Sequence, residues 1–138
     1  MNEQFKEATR IVGMGRTRSE RESASVYYEK VVEEGRPIEN VLSDDLYRHI
    51  QTLEWSAEFF GAENFDVYVH EWVPYGLFVV EKPETEIMIM VIYDEEDAMK
   101  GVILSESPSA IGWARDVFET YREDAVPLSD FDREDDER

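Results

Sequence analysis

The stretch FDVYVHEWVPYGLFVVEKPETEIMIMVIYDEEDAMKGVILS, residues 65–105, decides the fold, because apolar residues that recur at a helical period before it begin to alternate within it. In FDVYVHEWV, Phe65, Val67, Val69 and Val73 fall on one side and Tyr68, His70 and Trp72 on the other, the pattern of a strand with one well-buried face. YGLFVVE (75–81) and EIMIMVIYD (86–94) are apolar on both sides, so these strands are central or covered by helices. EKPET (81–85) and DEEDAMKG (94–101) read as hairpin connections, and GVILS supplies a fourth strand. The prediction is a four-stranded antiparallel meander.

Working outward, SESPS (105–109) leads into a C-terminal helix in which Ala110, Ile111, Ala114, Val117, Phe118 and Tyr121 form a stripe that packs on the sheet. Ser107 is placed to cap it and Pro108 suits its first turn. The junction lacks the lysine and repeated glycines of a phosphate loop, so capping accounts for it. Upstream, Ser43 followed by Asp44 and Asp45 starts a helix whose stripe of Leu46, Ile50, Leu53, Ala57 and Phe60 ends at Gly61. Ser19 with Glu22 reads as a capping box for a helix carrying Ala24, Tyr27, Tyr28, Val31 and Val32, stopped by Gly35 and Pro37. Phe5, Ala8, Ile11 and Val12 give a weaker helical stretch, broken at Gly13 and Gly15. The expected fold is α+β: N-terminal helices, the meander, and a C-terminal helix packed on the sheet. Its expected parts are a helical arm over 1–36, an α+β domain over 37–125, and a disordered acidic tail over 126–138.

Composition narrows the function classes. The 138 residues suffice for one core, and with no cysteine there is neither a disulfide nor a thiolate metal site. The longest apolar run, Ile87 to Tyr93, is too short to cross a bilayer, and the polar opening MNEQFKEATR is not a secretion signal, so a soluble cytoplasmic protein without a membrane partner is expected. Acidic residues outnumber basic ones 33 to 14, for a net charge of −19, and only Lys6, Lys30, Lys82 and Lys100 are lysines. Such a surface suits a salt-adapted cytoplasm, where screening removes most of the self-repulsion. Residues 1–22 hold five of the basic residues (Lys6, Arg10, Arg16, Arg18, Arg21) and are the one place that could touch phosphate, so weak or no direct nucleic-acid binding is expected of the chain.

The segments YVHEWVPYGLFVVE and IMVIYDEEDAMKGVILSESPSAIGWARDVFETYRE resemble the sensor domain that follows a winged helix-turn-helix in haloarchaeal transcription regulators. There a strand leads through a Pro-aromatic-Gly step, a YD hairpin and a Ser/Asp-Pro turn into a terminal W-A-R-x-x-F-x-x-Y-R helix. The resemblance covers roughly residues 41–124 and implies effector sensing or dimerisation in transcription control. The first 40 residues offer too few helices for a DNA reader with a wing, so a sensor without the DNA-binding half is expected, beside a winged helix-turn-helix partner protein. The helix over 23–34 is apolar beyond one stripe, which predicts a homodimer with that helix in the contact.

The candidate ligand-binding residues are Tyr68, His70, Trp72, Tyr75, Tyr93 and Trp113, amphipathic aromatics and an imidazole that can hold a small polar effector by stacking and hydrogen bonding. The same residues also suit simple packing beneath helices. No catalytic residue, metal or cofactor is expected: no GxSxG elbow prepares a nucleophile, His70 and Glu71 point to opposite sides of a strand, and DEEDAMKG lacks calcium-loop spacing. The alternative is a small enzyme acting on a soluble metabolite through His70 and nearby carboxylates. Because charge repulsion needs screening, the melting temperature is expected to rise between about 50 mM and about 2 M potassium chloride, and an unchanged value removes the salt-adaptation reading.

Overall fold

In the computed structural model, which describes residues 2–16, 26–96 and 98–131, the alternating segment at Phe65 is one strand of a seven-stranded sheet. The strands are β1 (Arg10–Gly15), β2 (Ile38–Ser43), β3 (Phe65–His70), β4 (Gly76–Glu81), β5 (Glu86–Tyr93), β6 (Met99–Ser105) and β7 (Val126–Pro127). Their spatial order is β6-β5-β4-β1-β2-β3-β7. β1, β2 and β3 run parallel, β4 to β6 form an antiparallel wing beside β1, and β7 pairs antiparallel with β3.

All four predicted strands exist, but they do not form one meander. β1 and β2 lie between β3 and β4, so the fold is mixed α/β with a parallel centre. Three strand spacings put β3 about 14 Å from β4, a distance that the five connecting residues 71–75 can span when extended. β1 and β2 escaped detection because central parallel strands are covered on both faces and lose the period of two. Along RIVGMG, Ile11 packs with one core cluster while Val12 and Met14 pack with the other.

Two layers cover the sheet. The first face carries α1 (Asn2–Lys6), a π-helix (Glu29–Glu33) preceded by helical residues 26–28, α2 (Asp44–Gln51) and α3 (Ser56–Gly61). The second carries α4 (Pro108–Asp124), through Ile111, Ala114 and Phe118. Both parallel crossovers, β1 to β2 and β2 to β3, therefore pass over the first face, and Tyr27, Val31, Tyr47 and Phe59 are buried there.

Local details follow the sequence in part. Ser43 caps α2, its hydroxyl accepting from the Leu46 N–H at 3.2 Å, and the Asp44 carboxylate pairs with Arg48 one turn on. The single helix expected over 43–61 is instead two, because the Thr52 hydroxyl donates to the His49 carbonyl at 2.7 Å and the chain turns through 52–55. Ser107 precedes α4 without a side-chain cap, and its carbonyl accepts from Ile111 instead. The Ser19–Glu22 capping box lies outside the described residues. The π-helix ends at Gly35, whose φ of +67° suits glycine, and Asn64 ties it down by donating to the carbonyls of Val31 and Arg36. Lys30, 3% exposed, donates to the Lys6 carbonyl at the end of α1.

Two further expectations need correction. Tyr27 and Val31, in the helix expected at a dimer contact, are buried against α1 and the sheet at 9% and 1% exposure, so these two side chains serve the chain's own core. The start of the acidic tail is ordered: Val126 and Pro127 pair with β3, and Leu128 and Phe131 pack on the first-face core. Phe131 meets Tyr47 edge-on at 5.5 Å and lies 5.3 Å under the Arg48 guanidinium. Phe131→Ala is therefore expected to lower stability by about 1–2 kcal/mol in a denaturant titration, whereas a tail without contacts predicts no change.

Candidate functional site

The carboxyl ends of β1 and β2 and the helices above them line a partly open chamber of about 110 Å³. In open α/β sheets such strand ends, where neighbouring connections diverge, are the usual place for a ligand. Here β1 has a parallel neighbour on one side and antiparallel β4 on the other. The floor comes from the sheet, at Gly15, Leu42 and Val91, and the walls include Leu46 and Ile50 of α2 and Phe59 of α3. Glycine makes the room. A β-carbon at Gly15 would stand 3.7 Å from both Phe78 Cζ and the Tyr93 hydroxyl, and one at Gly76 would collide with that hydroxyl at 2.7 Å.

Polar groups mark two places in this apolar chamber. Asn40, 5% exposed, turns its carboxamide so that the nitrogen donates to the carbonyls of Glu39 at 3.0 Å and Gly13 at 3.2 Å. Arg16 follows β1 directly and reaches the 71–75 connection, its Nη1 donating to the Val73 carbonyl at 3.2 Å. Its guanidinium lies 4.1 Å from the Trp72 ring and 5.0 Å from the Tyr93 ring. Two aromatic faces and a carbonyl thus hold a cation beside the chamber, in a chain of net charge −19.

The six candidate residues do not converge. Tyr93 lines the chamber, and Trp72, 57% exposed, stacks on Arg16 at its side. β3 ends at His70, so strand alternation does not carry Trp72 to the side of Tyr68 and His70. Those two face α4 on the opposite side of the sheet. The His70 Nδ1 accepts from the Trp72 N–H at 3.1 Å, which places its proton on Nε2, 3.0 Å from the Asp124 carboxylate. That ring, 5.3 Å from Tyr121, pins the C-terminal turn of α4 to the sheet. Tyr68 holds Arg122, whose pKa is raised foremost by the hydrogen bond with the Tyr68 side chain, against the lowering effect of burial, with Glu119 and Glu39 adding to the rise. Tyr75 stacks on Trp113 at 6.5 Å, and burial raises its pKa.

The remaining candidate chemistry is used structurally. In DEEDAMKG, the Asp94 carboxylate accepts from the N–H groups of Glu96 and Ala98 and closes the β5–β6 turn; Asp97 lies outside the described residues. No group of three or more ligating side chains that could hold a metal occurs among the described residues. No described helix is long and apolar enough to cross a membrane. Sequence reasoning missed Gly15, Arg16, Asn40 and Leu42. The available signal was the pair of glycines inside IVGMGR, taken as helix breakers where a strand with a close overlying contact also explains them.

The family described as "Methanogenesis regulatory protein FilR1, middle domain" matches residues 1–124. No curated protein matches the sequence individually. Among solved structures 15 chains match, including the one described as "Structure of TrmBL2, an archaeal chromatin protein, shows a novel mode of DNA binding". That likeness has a TM-score of 0.71 at 11% identity and covers 92% of this chain but 48% of the other, so it shows a shared fold and this chain spans about half the other's length. If Arg16 anchors the 71–75 connection, Arg16→Met should lower stability by about 1–2 kcal/mol in thermal or urea unfolding; an unchanged midpoint refutes the anchor.

Proposed function

We propose that this chain, which belongs to the family of the FilR1 middle domain of methanogenesis regulation, is the effector-sensing module of a transcription regulator and that the chamber beneath α2 and α3 is its receptor site. The regulatory family supports the setting. The observation that carries the site is the chamber of about 110 Å³, walled by Leu42, Leu46, Ile50 and Phe59 with Arg16 beside it. An apolar cavity of about 150 Å³ holds benzene; this one is smaller but open at one side, so it suits a compact apolar body that lies partly in its mouth, where the guanidinium adds recognition of an acceptor or carboxylate. The ligand class is a small apolar acid.

Binding there bears on regulation through the elements it touches. Tyr27 lies in the first crossover, Leu46 and Phe59 in the second, and Gly15 and Leu42 in the sheet, so a ligand bridges parts that move separately in local opening. DNA reading is assigned to a winged helix-turn-helix partner, since a body of net charge −19 repels phosphates. Tyr68, Tyr75 and Trp113 serve packing in this reading. The salt-adapted cytoplasm and the homodimer remain part of it. An enzyme acting through His70 has weaker support, because both ring nitrogens are engaged in holding the Trp72 main chain and α4.

Thermal shift in high salt with benzoate, isobutyrate and neutral toluene tests the proposal. At about ten times Kd a bound probe stabilises by roughly 1.4 kcal/mol, a rise of several degrees in Tm. Leu42→Trp, which fills the floor, should abolish the rise for every probe. Arg16→Met should retain that for toluene and reduce that for benzoate. Shifts that survive Leu42→Trp, or no shift with any probe, overturn the site, and turnover of a bound acid favours the enzyme.

A further inference from the structure

We infer that Asn40 is a second recognition point of the chamber, and that the ligand carries a hydroxyl or neutral amine donor at the end opposite its carboxylate. The inference rests on the chamber being the receptor site and narrows the class of acid it takes. On β2, Ile38 and Leu42 belong to the first-face core whereas Val41 belongs to the second, so alternation sets the Asn40 side chain on the chamber face. It is 5% exposed and lines the chamber. Both bonds that fix its carboxamide are made by the nitrogen, to the carbonyls of Glu39 at 3.0 Å and Gly13 at 3.2 Å. They commit both amide protons. What the group can offer a ligand is its oxygen, an acceptor with two lone pairs.

Strand register separates this acceptor from the guanidinium. Asn40 stands opposite Gly13 and Leu42 opposite Gly15, and Arg16 follows Gly15. From the level of Gly13 and Asn40 to Arg16 is a run of about 10 Å at the rise of a strand. Leu42 lies on the floor between them and supplies apolar surface. A ligand that meets both points therefore has an apolar middle, a donor at its inner end and a carboxylate at the mouth. An acid without the donor leaves the carboxamide oxygen unmatched in a largely apolar place. Sites built around one hydrogen bond discriminate against analogues that lack it more strongly than against a missing methylene.

Titration of the full chain in high salt with para-substituted benzoates tests the inference. 4-Hydroxybenzoate and 4-aminobenzoate donate at the far end, whereas 4-fluorobenzoate is close to the hydroxy acid in size and cannot. Hydrophobic transfer alone favours the fluoro acid. The two donor acids should nevertheless bind about tenfold or more tightly than 4-fluorobenzoate. Asn40→Leu should bring that ratio to about one with the fluoro acid still bound, and Arg16→Met should weaken all three acids and keep the ratio. The comparison on the unaltered chain decides the matter even where Asn40→Leu fails to fold. Equal or weaker binding of the hydroxy acid, or a preference that survives Asn40→Leu, overturns the inference and leaves the chamber standing as long as Leu42→Trp removes binding. No binding by any benzoate, or binding that survives Leu42→Trp, overturns the receptor reading itself and this inference with it.

Discussion

The ring of Phe78 lies across the backbone of Gly13, with Cδ1 2.2 Å from where a β-carbon would stand, and the first face of the sheet is built outward from that contact. Any other residue at 13 would push the ring away from the strand. Seated there, Phe78 meets Phe5 edge-on at 5.4 Å and Tyr27 at 6.4 Å, so α1 and the first crossover are referenced to one side chain of β4. The same absence of side chains along β1 leaves the space at Gly15 that becomes the chamber floor. Packing and site share one cause, the spacing of two glycines in a strand that is otherwise apolar.

Charge is organised by the same architecture. Several basic side chains are placed among acids and aromatics: Arg115 bridges Glu81 and Glu86, Arg122 lies among Tyr68, Glu39 and Glu119, and Arg48 pairs with Asp44. Exposed pairs of this kind contribute little individually. Their larger effect is to neutralise carboxylates near the sheet, leaving excess acid on the periphery where salt screens it best. Arg16 is held beside the chamber by two rings and a carbonyl.

The chamber and the outer strand of the antiparallel wing lie in different parts of the molecule. The chamber lies under the crossover helices at the carboxyl ends of β1 and β2, whereas β6, two strands beyond β4, ends the sheet with a β-bulge in its ladder to β5. β5 links the two regions: Val91 and Tyr93 line the chamber, and Ile92 between them is exposed beside β6.

The amino-acid sequence by itself determined what depends on neighbours along the chain. The alternation at 65–70, the apolar runs of β4 and β5, the Ser43 cap, the Pro108 start of α4 and the acidic surface were legible because each arises within a few residues. The motifs at 68–81 and 89–123 likewise carried the relation to transcription regulators, consistent with the regulatory family that matches the chain. Tertiary structure alone decided the insertion of β1 and β2 between β3 and β4, since strands buried on both faces carry no period that distinguishes them from short helices. It also decided the site. Arg16, Asn40 and Tyr93 are brought together by strand order, and Tyr68 and Tyr93, both read as ligand residues, were sent to opposite faces by it. Periodicity states which side of its own strand a residue occupies, and only the pairing of distant strands states what stands opposite.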